Sequence, residues 1–321
     1  MNADDWRPTA SRQAIEARAR MLADIRGFFA KRKVLEVETA QLSSAGNSDP
    51  NIASIATATD VPRFLRTSAE YPMKRLLAAG LPDIYELGRV FRAGEKGRRH
   101  NPEFTMLEWY RHNLSYHELA NEVLDLFRHC GQGKFDNWPV VRTTYRDLFR
   151  DHLGLDPHFC DEEECRSLAL ERDIHAGQLD LDGWLDLLLT HLIQPQLDAE
   201  SITVIFDFLP QQAALACIRE DSEQGIAVAE RFEIYLGQTE LANGYQELAD
   251  PVEQQKRFEQ DRQLRKLRGE ELAPVDQRLL AALQAGLPEC SGVAVGVDRL
   301  LMALLGVDHI DMVLPFPFDR A

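Results

Sequence analysis

The chain has no apolar run approaching the ~20 residues that a membrane-spanning helix needs. Its amino terminus, MNADDWRPTASRQ, lacks the apolar core of a signal peptide. Cysteine is scarce. Cys130, Cys160, Cys165, Cys217 and Cys290 form no Cys-x-x-Cys pair, so a disulfide framework is not expected and reduced thiols in a cytoplasmic protein are. Cys160 and Cys165 have no His or Cys partners at zinc-finger spacing. Positive charge is short as well: 36 Lys plus Arg stand against 52 Asp plus Glu, a net charge of −16. Proteins that grip nucleic acid usually carry a basic surface, because phosphate neutralisation supplies most non-specific affinity. A tRNA partner is therefore not expected. Internal repeats and low-complexity linkers are missing, and no second domain is visible, so the 321 residues are read as a single domain.

What is present alternates between helical and strand periods. Ile15, Leu22, Ile25 and Phe29 repeat at helical spacing behind Ser11, a residue suited to an N-cap, which predicts a helix over 11–33 and a strand over 34–40. Residues 43–60 are small and polar and read as a loop. A short strand from Arg63 leads through Thr67, Ser68 and Ala69 into a helix starting near Glu70. Residues 116–230 read as mostly helix, with the acidic run 161–164 at a helix N-terminus or on a solvated face and a buried strand over 201–210.

Three stretches carry chemistry. Residues 83–110 read as two strands joined by a charged loop that is longer than an ordinary hairpin turn. Period-two alternation puts Arg92, Phe104, Glu108 and Tyr110 on one surface, a set suited to a ligand with an anionic group, a flat ring and a cationic tail. Residues 230–248 read as a second hairpin with Glu233, Glu240 and Glu247 at seven-residue intervals. Close carboxylates need a cation between them, and Mg²⁺ on a nucleotide triphosphate is the natural one. Strict alternation separates Glu240 from Asn243, Tyr245 and Glu247, so a shared face requires a bulge near Leu241 and Ala242. In residues 290–306, Gly292, Ala294 and Gly296 alternate with valines and leave one strand face nearly bare for a flat group. Arg299 sits in the first turn of the helix that follows, where the helix dipole disfavours it, and stacking on a purine opposite Phe104 would explain it.

Phe91-Arg92 with HNPEFTMLE at 100–108 resembles motif 2 of class II aminoacyl-tRNA synthetases in its lysyl form. The helix and strand at 11–40 resemble motif 1, and GVDR at 296–299 resembles motif 3. The resemblance implies an α+β fold, an antiparallel sheet flanked by helices, and a homodimer formed through motif 1. It implies ATP and Mg²⁺ as cofactors and a lysine-like amino acid as substrate. Arg92 would bridge substrate carboxylate and α-phosphate. Ala93, Gly94, Glu95, His100, Asn101, Leu241 and Gly296 would meet ATP, Phe104 and Arg299 would sandwich adenine, and Glu233 and Glu240 would hold Mg²⁺. Ser68, Ala69 and Glu70 would lie at the substrate amino group, with Glu108, Tyr110, Asn243, Tyr245 and Glu247 around its side chain. About ten residues precede the first helix, too few for the anticodon-binding domain of lysyl-tRNA synthetases. A core-only paralogue of this kind resembles the ligases that activate (R)-β-lysine and attach it to a lysine side chain of translation elongation factor P. Ala294 stands where the synthetases have glycine, and its methyl alters the room beside the substrate amino group. Two positions depart from the pattern: Ala40 replaces the motif 1 proline, and Gly94 stands where motif 2 has glutamate, with the acid one residue later at Glu95. Two other readings stay open, a truncated synthetase paralogue that loads α-lysine on tRNA or a small molecule, and a regulatory subunit without chemistry.

Overall fold

The computed structural model describes residues 6–222 and 225–321. Helix α1 (Arg12–Arg32) starts where Ser11 accepts the Ala14 N–H and ends at Lys33, which takes the left-handed conformation. Short strands β1 (Leu35–Glu36), β2 (Leu42–Ser43), β3 (Ile55–Ala56) and β4 (Phe64–Leu65) follow. The strand expected over 34–40 is cut short because the Thr39 N–H donates to the Glu86 carboxylate at 3.2 Å instead of to a neighbouring strand. Next come α2 (Glu70–Ala78), β5 (Ile84–Phe91), β6 (Glu103–His112) and α3 (Tyr116–Gly131). Then follow β7 (Val140–Thr144), α4 (Tyr145–Leu153), α5 (Glu162–Glu171), α6 (Leu181–Leu188), β8 (Ile202–Phe208) and β9 (Ile218–Asp221). The acidic run at 161–164 is a helix start: Asp161 and Glu164 form a reciprocal capping box. The chain closes with β10 (Ile226–Leu236), β11 (Thr239–Gln246), α7 (Pro251–Leu267), α8 (Gln277–Gly286), β12 (Cys290–Gly296) and α9 (Val297–Leu305).

These elements gather into two units, one made of the segments up to Asp136 and from Glu247 onward, the other of Asn137–Gln246. In the first, β5 pairs antiparallel with β6, β6 antiparallel with β12, and β1 runs parallel to β5. Alternation splits this sheet into two faces. Tyr85 and Trp109 point to the back, where Phe29 of α1 stacks on Tyr85 at 4.4 Å and meets Trp109 edge-on at 5.3 Å. The buried indole donates to Glu122 of α3 at 3.0 Å, so its polar atom is satisfied. Arg18 of α1 is buried and pairs with Asp298 of α9, whose other oxygen accepts the Thr105 N–H at 2.6 Å. That chain of bonds ties the start of α9 to the middle of β6.

The second unit is built on β8, buried along its whole length, with β7 parallel to it, β10 antiparallel, and β9 and β11 both on β10. Tyr145, Phe149, Trp184, Leu185 and Phe208 fill its core. Among the described residues no helix is long and apolar enough to cross a membrane.

Candidate active site

The front face of the first unit's sheet takes shape from the strand registers. Glu108 lies opposite Glu86 on β5 and Ala294 on β12, and Tyr110 lies opposite Ile84 and Gly292. Residues opposed in this way share a face, so Met106, Glu108 and Tyr110 line up with Gly292, Ala294 and Gly296. Glu108 is held from three directions. The Ser68 hydroxyl and the Ala69 N–H donate to one oxygen at 2.9 and 3.0 Å, and the Tyr110 hydroxyl donates to the other at 2.8 Å. The Ala69 N–H is available because it stands just before α2, at a helix N-terminus that favours negative charge. Burial nevertheless pushes the Glu108 carboxyl up to about 7, with repulsion from Glu70 adding to it against those hydrogen bonds. The Tyr110 phenol is raised well above its ordinary value by the same burial and by Glu108.

Glu247, also buried, completes this group through a residue that sequence reasoning missed. Lys74 of α2 is 1% exposed, and its ammonium sits 2.5 Å from Glu247 and 2.7 Å from Glu70. Burial disfavours its charge, but Glu247 and Glu70 outweigh that and drive its pKa up. Glu247 itself is pushed up to about 8 by burial and by Glu70 and Glu108, against the pull of Lys74. The clue in the sequence was spacing: Lys74 follows Glu70 by four residues and shares the buried helix face with Met73 and Leu77. Gly292 corrects the expectation of a bare strand face. A Cβ there would lie within 3.0 Å of the Tyr110 ring and of Glu247, so its missing side chain is the space those two occupy. At Gly296 the atoms nearest an added Cβ belong to the Arg299 side chain, at 3.7 to 3.9 Å, an ordinary contact.

Beside the carboxylates lies a cationic loop. Arg92 follows β5, with its guanidinium 5.2 Å from the Phe104 ring centre and 3.4 Å from Glu95. Gly94 takes a φ of 77°, which turns the chain back and brings Glu95 to Arg92. Ala93 donates its N–H to the Ala53 carbonyl. Further along, Arg299 donates to His100 Nε2 at 2.6 Å and to the Arg99 carbonyl at 3.3 Å, while Arg98 pairs with Asp308. Burial and the neighbouring Arg299 and Arg98 lower the Arg99 pKa. Cations held this close suit a polyanion such as a triphosphate. The guanidinium over Phe104 is that of Arg92, and Arg299 is engaged with His100. Asn101 has both ends of its amide tied to backbone, accepting from Phe318 and donating to Glu103.

In the second unit, the β10–β11 hairpin has the bulge that a shared face requires. Ile234 pairs with Ala242 and Tyr235 with Glu240, leaving buried Leu241 as the extra residue. The slip puts Arg231, Glu233 and Tyr235 on one face with Glu240, Asn243 and Tyr245. Glu233 accepts from Arg231 at 2.5 Å and from the Tyr235 hydroxyl at 3.0 Å. Burial raises its pKa to about 7, opposed by Arg231 and reinforced by Glu240. Asn243 Oδ1 is buried without a hydrogen-bond partner, an acceptor suited to a ligand N–H. Among the described residues no group of three or more His, Cys, Asp or Glu could hold a metal. The pair Glu233 and Glu240 fits Mg²⁺ in its usual mode, one or two carboxylates with the remaining positions left to phosphate and water.

The chain belongs to the class II tRNA synthetases (D, K and N), whose family model matches residues 2–320. It is 45% identical over 326 aligned residues to the elongation factor P–(R)-β-lysine ligase of Salmonella gallinarum, covering 98% of each chain. The same ligase of Salmonella typhimurium matches at 45% and that of Salmonella dublin at 44%, again over 98% of both chains.

Proposed function

We propose that this chain is an AMP-forming ligase that activates (R)-β-lysine with ATP and transfers it to a lysine side chain of elongation factor P; its relatives are named elongation factor P–(R)-β-lysine ligases. The observation that carries the reading is the buried group on the front face. Glu70, Glu108 and Glu247 outnumber the ammonium of Lys74, and the excess negative charge suits a substrate with two ammonium groups. Arg92, at the adjoining loop, is the partner for the substrate carboxylate.

In the first step that carboxylate attacks the α-phosphorus of ATP in line. A C–O–P linkage forms as the bond to pyrophosphate breaks, and Arg92 offsets the developing negative charge. The arginines of the loop and Arg299 would receive the phosphates, and the Phe104 ring offers a stacking surface once Arg92 turns to the substrate. Glu233 and Glu240 would hold Mg²⁺, which when bound neutralises charge on phosphate oxygens. In the second step the acceptor lysine attacks the acyl carbon and AMP leaves. That amine has a reference pKa near ~10.4 and must shed a proton before it reacts. Ala294, opposite Glu108, places a methyl on the substrate face of β12 and would favour the β- over the α-amino acid. The acidic balance argues against tRNA as acceptor, the free cysteines fit the cytoplasm, and α1 with β1 would form a homodimer interface.

ATP–pyrophosphate exchange with (R)-β-lysine, L-lysine and L-norleucine tests the reading. Exchange with (R)-β-lysine above L-lysine, and none with norleucine, is expected. Exchange with L-lysine alone would point to a truncated synthetase paralogue, and none at all to a protein without adenylation chemistry.

A further inference from the structure

We infer that Lys74 is a positioning residue which neutralises one of three buried carboxylates, so that the site accepts two ammonium groups and no third. The inference rests on reading this cluster as the amino-acid site. It adds a role for a side chain that would touch no substrate.

The groups facing one another are Glu70 and Lys74 from α2, Glu108 and Tyr110 from β6, and Glu247, while Glu86, opposite Glu108 on β5, is neutralised by its own buried ion pair with Arg66 at 2.5 Å and leaves the count unchanged. Lys74 bridges Glu70 and Glu247, two carboxylates from distant parts of the chain. Glu70 is the most open of them, its side chain 15% exposed against 1% for Lys74 and Glu247, so the ammonium is closed off from solvent while Glu70 is not. Glu108 is bound by hydroxyls and an N–H, and among the described residues by no cation. Three carboxylates less one resident ammonium leave two negative charges. A diamino acid brings two ammonium groups, and its carboxylate remains for Arg92. Buried charge is tolerated only when paired, so a monoamino acid would leave one carboxylate that must be protonated or stay uncompensated. The raised values of Glu108 and Glu247 agree with a site short of cations before substrate arrives. Without Lys74 the deficit becomes three, and a third carboxylate must take up a proton before the cluster can be buried.

An opposite charge at this range holds a carboxylate's pKa down by roughly 1–3 units. In Lys74→Met the pH at which L-lysine binding reaches half its maximum should therefore rise by about one unit or more. Affinity near neutral pH should fall about tenfold for each unit. Adding Glu247→Gln to Lys74→Met restores the deficit to two, and the midpoint should return toward that of the unaltered protein. Calorimetric titration with L-lysine and (R)-β-lysine between about pH 6 and about pH 9 reads both. A Lys74 that served packing alone would lower stability and leave the midpoint where it was, and that result overturns the inference. So does a double variant whose midpoint stays at that of Lys74→Met. If Lys74→Met does not fold, the double variant is compared with Glu247→Gln alone. Tighter lysine binding by the double variant is expected, and equal or weaker binding overturns the inference. Failure of the unaltered protein to bind either diamino acid would instead remove the amino-acid reading of the site, and the inference with it.

Discussion

Replacing Gly292 by alanine adds one methyl at the tightest point of the candidate site. An ideal Cβ at that position falls within 3.0 Å of two Tyr110 ring carbons and of a Glu247 carboxylate oxygen. Neither neighbour yields freely. The Tyr110 ring is buried and its hydroxyl is bonded to Glu108 at 2.8 Å, while Glu247 is paired with Lys74 at 2.5 Å. The backbone of β12 is fixed by its register with β6. Overpacking of this kind is worth about 1–3 kcal/mol of stability, or roughly 2–4 °C in melting temperature for each kcal/mol in a domain of this size class. The displaced groups are the ones proposed to hold the substrate ammonium, so amino-acid binding should suffer more than nucleotide binding. Each ~1.4 kcal/mol lost there is a tenfold rise in the amino-acid KM. Pyrophosphate exchange measured against both substrates, with a thermal melt, checks this. An unchanged melt together with an unchanged amino-acid KM would refute the close packing of Gly292, Tyr110 and Glu247.

Glu108 gives the apoprotein a pH signature. Its folded-state pKa is raised from the ordinary carboxylate value of 4.5 to about 7, so the folded chain holds a proton that the unfolded chain has lost, and its contribution to stability declines as pH rises through that window, by at most about 1.4 kcal/mol per unit. Urea unfolding across the window should show a steeper loss with rising pH for the unaltered protein than for Glu108→Gln. Arg18→Met leaves Asp298 buried without its cation, which should remove about 3–5 kcal/mol by urea titration. Glu240→Gln should raise the Mg²⁺ concentration needed for half-maximal pyrophosphate exchange, about tenfold for each ~1.4 kcal/mol of metal affinity lost, and leave the melt of the metal-free protein close to unchanged. Gly94→Ala strains a residue held at a φ of 77° by about 1 kcal/mol, and should slow exchange by loosening Glu95 from Arg92.

The sheet face was legible because period two is a strong signal in a strand of ten residues. Glu103–His112 alternates without interruption, so Phe104, Glu108 and Tyr110 could be placed on one side before any register was known. The Leu241 bulge was legible for a related reason, since Glu240 and Asn243 cannot share a face without it. Lys74 was not, because a lysine on an amphipathic helix reads as solvated until its face is known to be buried, and its partner Glu247 lies 173 positions further along the sequence. In the sequence alone Gly292 reads as room for a ligand, because a missing side chain leaves no trace of what fills the space; Tyr110 and Glu247 do.

Elongation factor P incubated with this enzyme, ATP, Mg²⁺ and (R)-β-lysine, and then weighed by intact-mass spectrometry, decides the ligase reading. The expected result is a mass increase of one β-lysyl group on a single lysine, dependent on ATP and lost in Arg92→Ala. An unmodified elongation factor P under conditions where pyrophosphate exchange proceeds, with lysine appearing on tRNA instead, would contradict it.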